Sequence, residues 1–170
     1  MKLYHGTNLS IDRIDLEKCR PWKDFGKGFY TTELSEQAEK MAKRVARIYG
    51  GQPVINVYEL DDAALDRSDL NIKRFGSTPT KEWALFVMNN RNRHFTDYAS
   101  KDCNLDNKYD IVIGAIANDD MAVLFRQFEN EMITFEMLVS GMTYKELTNQ
   151  YSFHTQKACA LLKKAGEIRL

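Results

Sequence analysis

Cysteine is scarce in this chain and poorly spaced for pairing. Cys19, Cys103 and Cys159 are odd in number and far apart, so they offer neither a disulfide framework nor a Cys-x-x-Cys pair, and a reduced cytoplasmic protein is expected. No His, Cys and Asp cluster has metal-ligand spacing, so no metal is expected. Neither sign of charge dominates. Lys plus Arg and Asp plus Glu number 24 each, and no global field draws the chain to nucleic acid or anionic lipid; only a local patch could do so. Long apolar runs are missing as well. The longest, Ile111 to Ala117, is far too short to span a bilayer, and no basic-then-apolar leader opens the sequence, so no membrane partner is expected. Repeats, low-complexity tracts and linkers are absent. So are a Ser-His-Asp order and the third glycine of a dinucleotide fingerprint.

What is present is one domain of ordinary globular composition, 1–170, with 44% hydrophobic and 28% charged residues. Lys2 to His5 and Gly28 to Thr32 read as short strands, and Val54 to Leu60 as a clear one. Tyr109 to Ala117 is the most hydrophobic strand and is expected at the centre of a sheet. Ser35 is expected to cap a helix in which Leu34, Ala38, Met41, Ala42, Val45, Ile48 and Tyr49 share one face, ended by Gly50-Gly51. Opposite them Lys40, Lys43, Arg44 and Arg47 read as a solvated face, with a phosphate contact as the alternative. Thr80 is expected to cap a second helix to about Asn92, with Trp83, Ala84 and Val87 inward. Asn118-Asp119-Asp120 opens a third, carrying Val123, Leu124, Phe125 and Phe128. A helical piece from Phe135 to Val139 ends at Gly141, and Thr143 to Glu146 matches a capping box for another short helix. Gln150 to His154 reads as a strand, and Thr155 as the cap of a final helix with Ala158, Leu161 and Leu162 inward. Asp61 to Thr80 and Arg91 to Asn107 read as polar and loop-like. Without a βαβ rhythm, the fold class is α+β.

Three clusters place polar and aromatic groups where a core would use aliphatics. In Tyr4-His5-Gly6-Thr7, Gly6 would let a ligand approach the backbone, whose N–H and C=O could pair with a planar carboxamide while His5 reaches a sugar hydroxyl. In Gly26-Lys27-Gly28-Phe29-Tyr30-Thr31-Thr32 a tight bend leads into a strand, and Tyr30 could stack on a planar heterocycle. Taken singly, the two read more simply as a strand running into a Gly-Thr turn and as a hairpin with an aromatic plug. In Gln150-Tyr151-Ser152-Phe153-His154, alternation sends Gln150, Ser152 and His154 to one face and Tyr151 and Phe153 to the other. Out of context that polar face reads as solvent-exposed.

In this order, His5-Gly6-Thr7, Gly28-Phe29-Tyr30 with its following helix, and the late Gln150 resemble the ADP-ribosyltransferase superfamily. The resemblance is to the branch shared by diphtheria-type toxins and poly(ADP-ribose) polymerases. That branch carries His-Gly-(Ser/Thr), Gly-x-(Phe/Tyr/Ile)-Tyr and a late Glu, Asp or Gln. The whole chain is similar to a small bacterial subgroup of it, in which Asp24 to Tyr30, Tyr109 to Gly114 and Gln150-x-Ser152-Phe153-His154-Thr155 recur as a set. The resemblance implies a split-sheet α+β fold with flanking helices and an NAD cleft. It makes His5, Tyr30 and Gln150 the catalytic set. His5 would hold a ribose hydroxyl of the adenosine half, Tyr30 would stack on the nicotinamide ring, and Gln150 would face the 2′-hydroxyl of the nicotinamide ribose. It makes Tyr4, Gly6, Thr7, Gly28, Phe29 and Thr31 the cofactor-binding set, with Gly6 holding the carboxamide through its backbone. The implied activity is transfer of one ADP-ribose unit from NAD to a protein or nucleic acid acceptor. By family analogy the role is that of a bacterial toxin or anti-phage effector, with an antitoxin as a further partner.

Gln150 departs from the carboxylate that serves this chemistry best, because an amide accepts a hydrogen bond but carries no charge and is no base. Single transfer is therefore expected rather than chain extension, and Gln150→Glu is expected to speed cleavage. Glu59, Glu129 and Glu131 compete for the third position and read as solvated. His154 reads equally as a partner of Gln150 or a strand end, and His94 as surface. Three rival readings stand beside the transferase: an NAD- or ADP-ribose-binding module, an NAD glycohydrolase, and a plain partner-binding domain.

Overall fold

The computed structural model of the chain describes residues 1–76, 78–117, 119–143 and 148–170. The expected capping box runs onto residues 144–146, outside the described residues, as does residue 118 of the expected Asn-Asp-Asp turn. The fold is α+β. Its strands are β1 (Lys2–Thr7), β2 (Phe29–Thr32), β3 (Val54–Glu59), β4 (Ile72–Arg74), β5 (Ile111–Ala115), β6 (Asn149–Phe153) and β7 (Lys163–Arg169). Its helices are α1 (Ser35–Tyr49), α2 (Lys81–Arg91), α3 (Asp119–Glu129), α4 (Phe135–Thr143) and α5 (Gln156–Cys159). The strands form one sheet in the order β4-β5-β6-β2-β1-β3-β7. Every pairing is antiparallel except β4 with β5.

Side chains directly opposite on paired strands point to the same face. One face therefore carries Leu3, Phe29, Tyr58, Ile111, Ile113, Tyr151 and Phe153, packed with Leu60, Ala158, Cys159 and Leu162. Ile11, Ile14 and Leu16 of the loop after β1 close over it. On the other face Val112 lies beneath Trp83 and Phe86 of α2, Met121 and Phe125 of α3, and Leu138 and Met142 of α4. Further along that face, Ala38 and Ala42 of α1 cover Tyr4 and Ile55.

Several expectations change here for physical reasons. Thr80 caps α2 as expected, accepting the Trp83 N–H at 3.2 Å, but Ser35 does not cap α1. The cap position is Leu34, whose N–H donates to Thr32 Oγ1. Only part of the apolar stripe of α1 is buried: Ala38 and Ala42 are, while Leu34, Met41, Ile48 and Tyr49 are exposed. The hydrophobic strand β5 is second from the sheet edge rather than central, and it is apolar because both of its faces are covered. Gly141 lies inside α4 instead of ending it, at a position where a Cβ would come within 3.2 Å of Leu124. The final helix stops at Cys159, and the chain then forms β7 on the sheet edge, a charged strand with no apolar alternation to announce it. The segment from Asp61 to Thr80 contains the three-residue strand β4.

Candidate functional site

The sheet is weakest between β1 and β2. β3 pairs with β1 along its whole length, from Lys2↔Glu59 to Thr7↔Val54, whereas β2 meets β1 at the single pair Tyr4↔Thr32. Beyond that pair the strands part, and the His5 ring lies across the parting. His5 Nδ1 is 2.7 Å from the Tyr30 carbonyl oxygen, and the ring stacks on Phe29 with centroids 4.3 Å apart. A carbonyl can only accept, so Nδ1 carries the proton. Burial lowers the pKa of this histidine below its ordinary value, which keeps the ring neutral and makes Nε2 an acceptor.

Tyr30 and Gln150 share the face opposite Phe29. The cross-strand rows are Thr32↔Gln150↔Gly114 and Tyr30↔Ser152↔Val112. The Tyr30 hydroxyl accepts the Phe25 N–H at 3.0 Å and donates to the Gly26 carbonyl at 2.7 Å, so the phenol holds the turn that precedes its own strand. Burial, reinforced by the nearby Asp24 carboxylate, pushes this phenol well above its ordinary pKa.

The residue that sequence reasoning missed is Asp24. Its Oδ1 accepts from Arg91 Nε at 2.9 Å and Nη2 at 2.6 Å. Its Oδ2 accepts from Gln150 Nε2 at 2.9 Å and from the Ala117 N–H at 3.1 Å. Asp24 and Gln150 are 8% and 7% exposed, so a buried carboxylate is fully paired by groups from α2, β6 and the end of β5. Asp24 stood in the recurrent run before Tyr30, but nothing in the sequence linked it to Gln150, 126 residues away.

The polar face of β6 is buried, not solvent-exposed, because the turn from Asp24 to Gly28 and helix α2 lie over it. Ser152 and His154 are 0% and 3% exposed. His154 Nδ1 is 2.9 Å from the Lys27 carbonyl, and Nε2 is 2.8 Å from Ser152 Oγ. The Lys27 carbonyl requires the proton on Nδ1, so the single Ser152 hydroxyl proton is shared between Nε2 and the Val112 carbonyl, 3.1 Å from Oγ. Burial holds the pKa of His154 down to about 4. The ring meets Tyr30 edge-on at 6.2 Å.

The remaining expected residues divide. His5, Tyr30 and Gly6 border the parting of β1 and β2, and Gln150 sits two residues along the Tyr30 face. Gly6 lacks a side chain because α1 takes that space: a Cβ would lie 1.9 Å from the Ala38 carbonyl oxygen. Gly28 lacks one because a Cβ would lie 2.6 Å from His154 Nδ1. Tyr4 packs beneath α1. Phe29 is core, and Thr31 is buried with its hydroxyl donated to the Tyr151 carbonyl at 3.1 Å, so these two turn away from the Tyr30 face. Thr7 is half-buried, its hydroxyl donating to Asn8 Oδ1. Glu59, His94, Glu129 and Glu131 are exposed and join none of these groups.

Among the described residues no group of His, Cys, Asp and Glu is placed to hold a metal ion, and no helix is long and apolar enough to cross a membrane. Two surface depressions lie elsewhere. One is beside Phe128, Ile133 and Met137 between α3 and α4, and the other beside Met1, Leu60 and Leu161.

No curated protein and no solved structure matches the chain. A family model described as a protein of unknown function (DUF3990) matches residues 1–164, nearly the whole length and every residue of the site. The chain, with its parted strands and its Asp24–Gln150 pair, therefore belongs to the DUF3990 family.

Proposed function

We propose that this protein is an NAD-dependent ADP-ribosyltransferase that moves one ADP-ribose unit to a macromolecular acceptor, and that NAD binds where β1 and β2 part. The supporting observation is the single Tyr4↔Thr32 pair, beyond which His5 bridges to the Tyr30 carbonyl instead of the backbones pairing. The neutral His5 offers Nε2 as an acceptor, to which a ribose hydroxyl can donate. Gly6 contributes its backbone, since its side-chain space belongs to α1. Tyr30 is held at its hydroxyl, which fixes the ring as a stacking platform.

In the reaction the bond between ribose C1′ and the nicotinamide nitrogen breaks, and its electron pair stays on the nitrogen, so the pyridinium leaves as neutral nicotinamide. Positive charge develops at C1′ and the ring oxygen. An acceptor oxygen or nitrogen then bonds to C1′ and gives its proton to solvent. The protein's part is to orient the ribose and ring and to place electron-rich atoms near C1′. Gln150 accepts from the 2′-hydroxyl through Oε1, because Nε2 is engaged by Asp24 and by the Ala115 carbonyl. The protein or nucleic acid acceptor, the toxin or effector role and an antitoxin partner rest on the family resemblance.

The test is incubation with labelled NAD and a cell lysate, with nicotinamide release followed and the products digested separately with protease and nuclease. Nicotinamide release with label on a macromolecule is expected, and the digest that removes the label identifies the acceptor. Free ADP-ribose with no labelled macromolecule would make the protein a glycohydrolase, and calorimetric binding without release a binding module. The absence of both binding and release overturns the proposal.

A further inference from the structure

The transferase reading leaves its third position uncharged, yet a buried carboxylate stands directly behind it. Gln150 Nε2 meets two groups that can only accept, Asp24 Oδ2 at 2.9 Å and the Ala115 carbonyl at 3.4 Å. A flipped amide would set its oxygen against both, so the amide has one orientation. Asp24 is itself fixed by Arg91 from α2 and by the Ala117 N–H after β5. We propose that Asp24 is the positioning residue of the site: it turns the Gln150 oxygen toward the ligand, and its carboxylate is the reason the third position is a glutamine. The proposal rests on the transferase reading.

A glutamate at position 150 would put a second carboxylate within hydrogen-bond distance of Asp24. Arg91 offers one positive charge to the pair, and the Tyr30 phenol, which also faces Asp24, offers none. Two such carboxylates share a proton and titrate as a pair. The substitution that restores the charge used elsewhere in the branch is thus unproductive beside the Asp24 carboxylate. It becomes productive once an uncharged Asn replaces Asp24.

The experiment compares wild type, Gln150→Glu, Asp24→Asn and the double variant Asp24→Asn/Gln150→Glu, by nicotinamide release from pH 5 to 9 and by thermal melting over the same range. Gln150→Glu alone is expected to cleave NAD more slowly than wild type and to gain an added ionisation above the ordinary carboxylate range. Its melting temperature should rise, relative to wild type, as the pH falls from 7.5 to 5.5. The double variant should recover turnover by about tenfold over Gln150→Glu with little change in KM. Gln150→Glu as fast as wild type, with an unaltered pH profile and melting curve, overturns the proposal. If Asp24→Asn prevents folding, the pH dependence of melting in Gln150→Glu decides. If wild type neither binds nor cleaves NAD, the transferase reading falls and takes the positioning role with it, even where the melting curves report the two carboxylates.

Discussion

A Cβ on Gly6 would lie 1.9 Å from the carbonyl oxygen of Ala38 and 2.8 Å from the Ala42 nitrogen. The glycine of the His-Gly-Thr motif is therefore the seat of helix α1 on strand β1. Gly6→Ala must push the helix off the strand, and overpacking against rigid backbone costs about 3 kcal/mol or more. Urea denaturation should show that loss directly. Lost NAD binding in the same variant would then report the displaced helix, not a direct contact of the new methyl with ligand. A Gly6→Ala protein with wild-type stability would mean that α1 does not pack this closely.

Tyr30 has two duties that two substitutions separate. Tyr30→Phe keeps the ring and removes the hydroxyl that joins the Phe25 N–H to the Gly26 carbonyl. Leaving those partners unsatisfied should cost about 1–3 kcal/mol of stability, with NAD affinity close to wild type. Tyr30→Ala removes the platform as well and should weaken NAD binding by a further ~1 kcal/mol. Calorimetry on both variants checks the order. Equal affinity in Tyr30→Ala and Tyr30→Phe would mean that the ring does not touch the ligand.

The sequence carried the strands whose composition and alternation are strong, β1, β2, β3, β5 and β6, and the two facing sets on β6. It misjudged α1 because the helix rests so near β1 that only Ala38 and Ala42 fit beneath it, and Leu34, Met41, Ile48 and Tyr49 are left on its flanks. It missed β7 because an edge strand needs no apolar alternation and Lys163–Arg169 is largely charged. The polar face of β6 was legible as polar but not as buried. Its cover is the turn beginning at Asp24, and the pairing that makes burial affordable, Gln150 to Asp24 to Arg91, joins residues from three distant stretches.

His5 ties the proposed site to pH. The neutral ring accepts at Nε2, while a protonated ring only donates, so NAD affinity should fall as the pH drops below the ordinary histidine range. Burial places the transition under the usual value of 6.5. His5→Ala should remove this dependence and weaken binding by about 1 kcal/mol. Calorimetric titration at stepped pH checks both. A His5→Ala affinity equal to wild type would exclude Nε2 from the contact.

His154 makes a separate prediction about stability. Its pKa is held near 4 in the fold by burial, against an ordinary 6.5. In that window the unfolded chain binds a proton that the native chain does not. The stabilisation is complete above about pH 6.5 and is lost progressively as the pH falls toward 4, to a total on the order of 3 kcal/mol. His154→Gln lacks the titrating group, so its stability should fall less steeply across this interval, although it starts lower through the disturbed contacts to Lys27 and Ser152. The carboxylates of the chain titrate in both proteins, so the measured quantity is the difference between the two denaturation curves at each pH. Parallel curves from pH 7 to 4 would show that His154 accepts its proton in the folded state as readily as in the unfolded one.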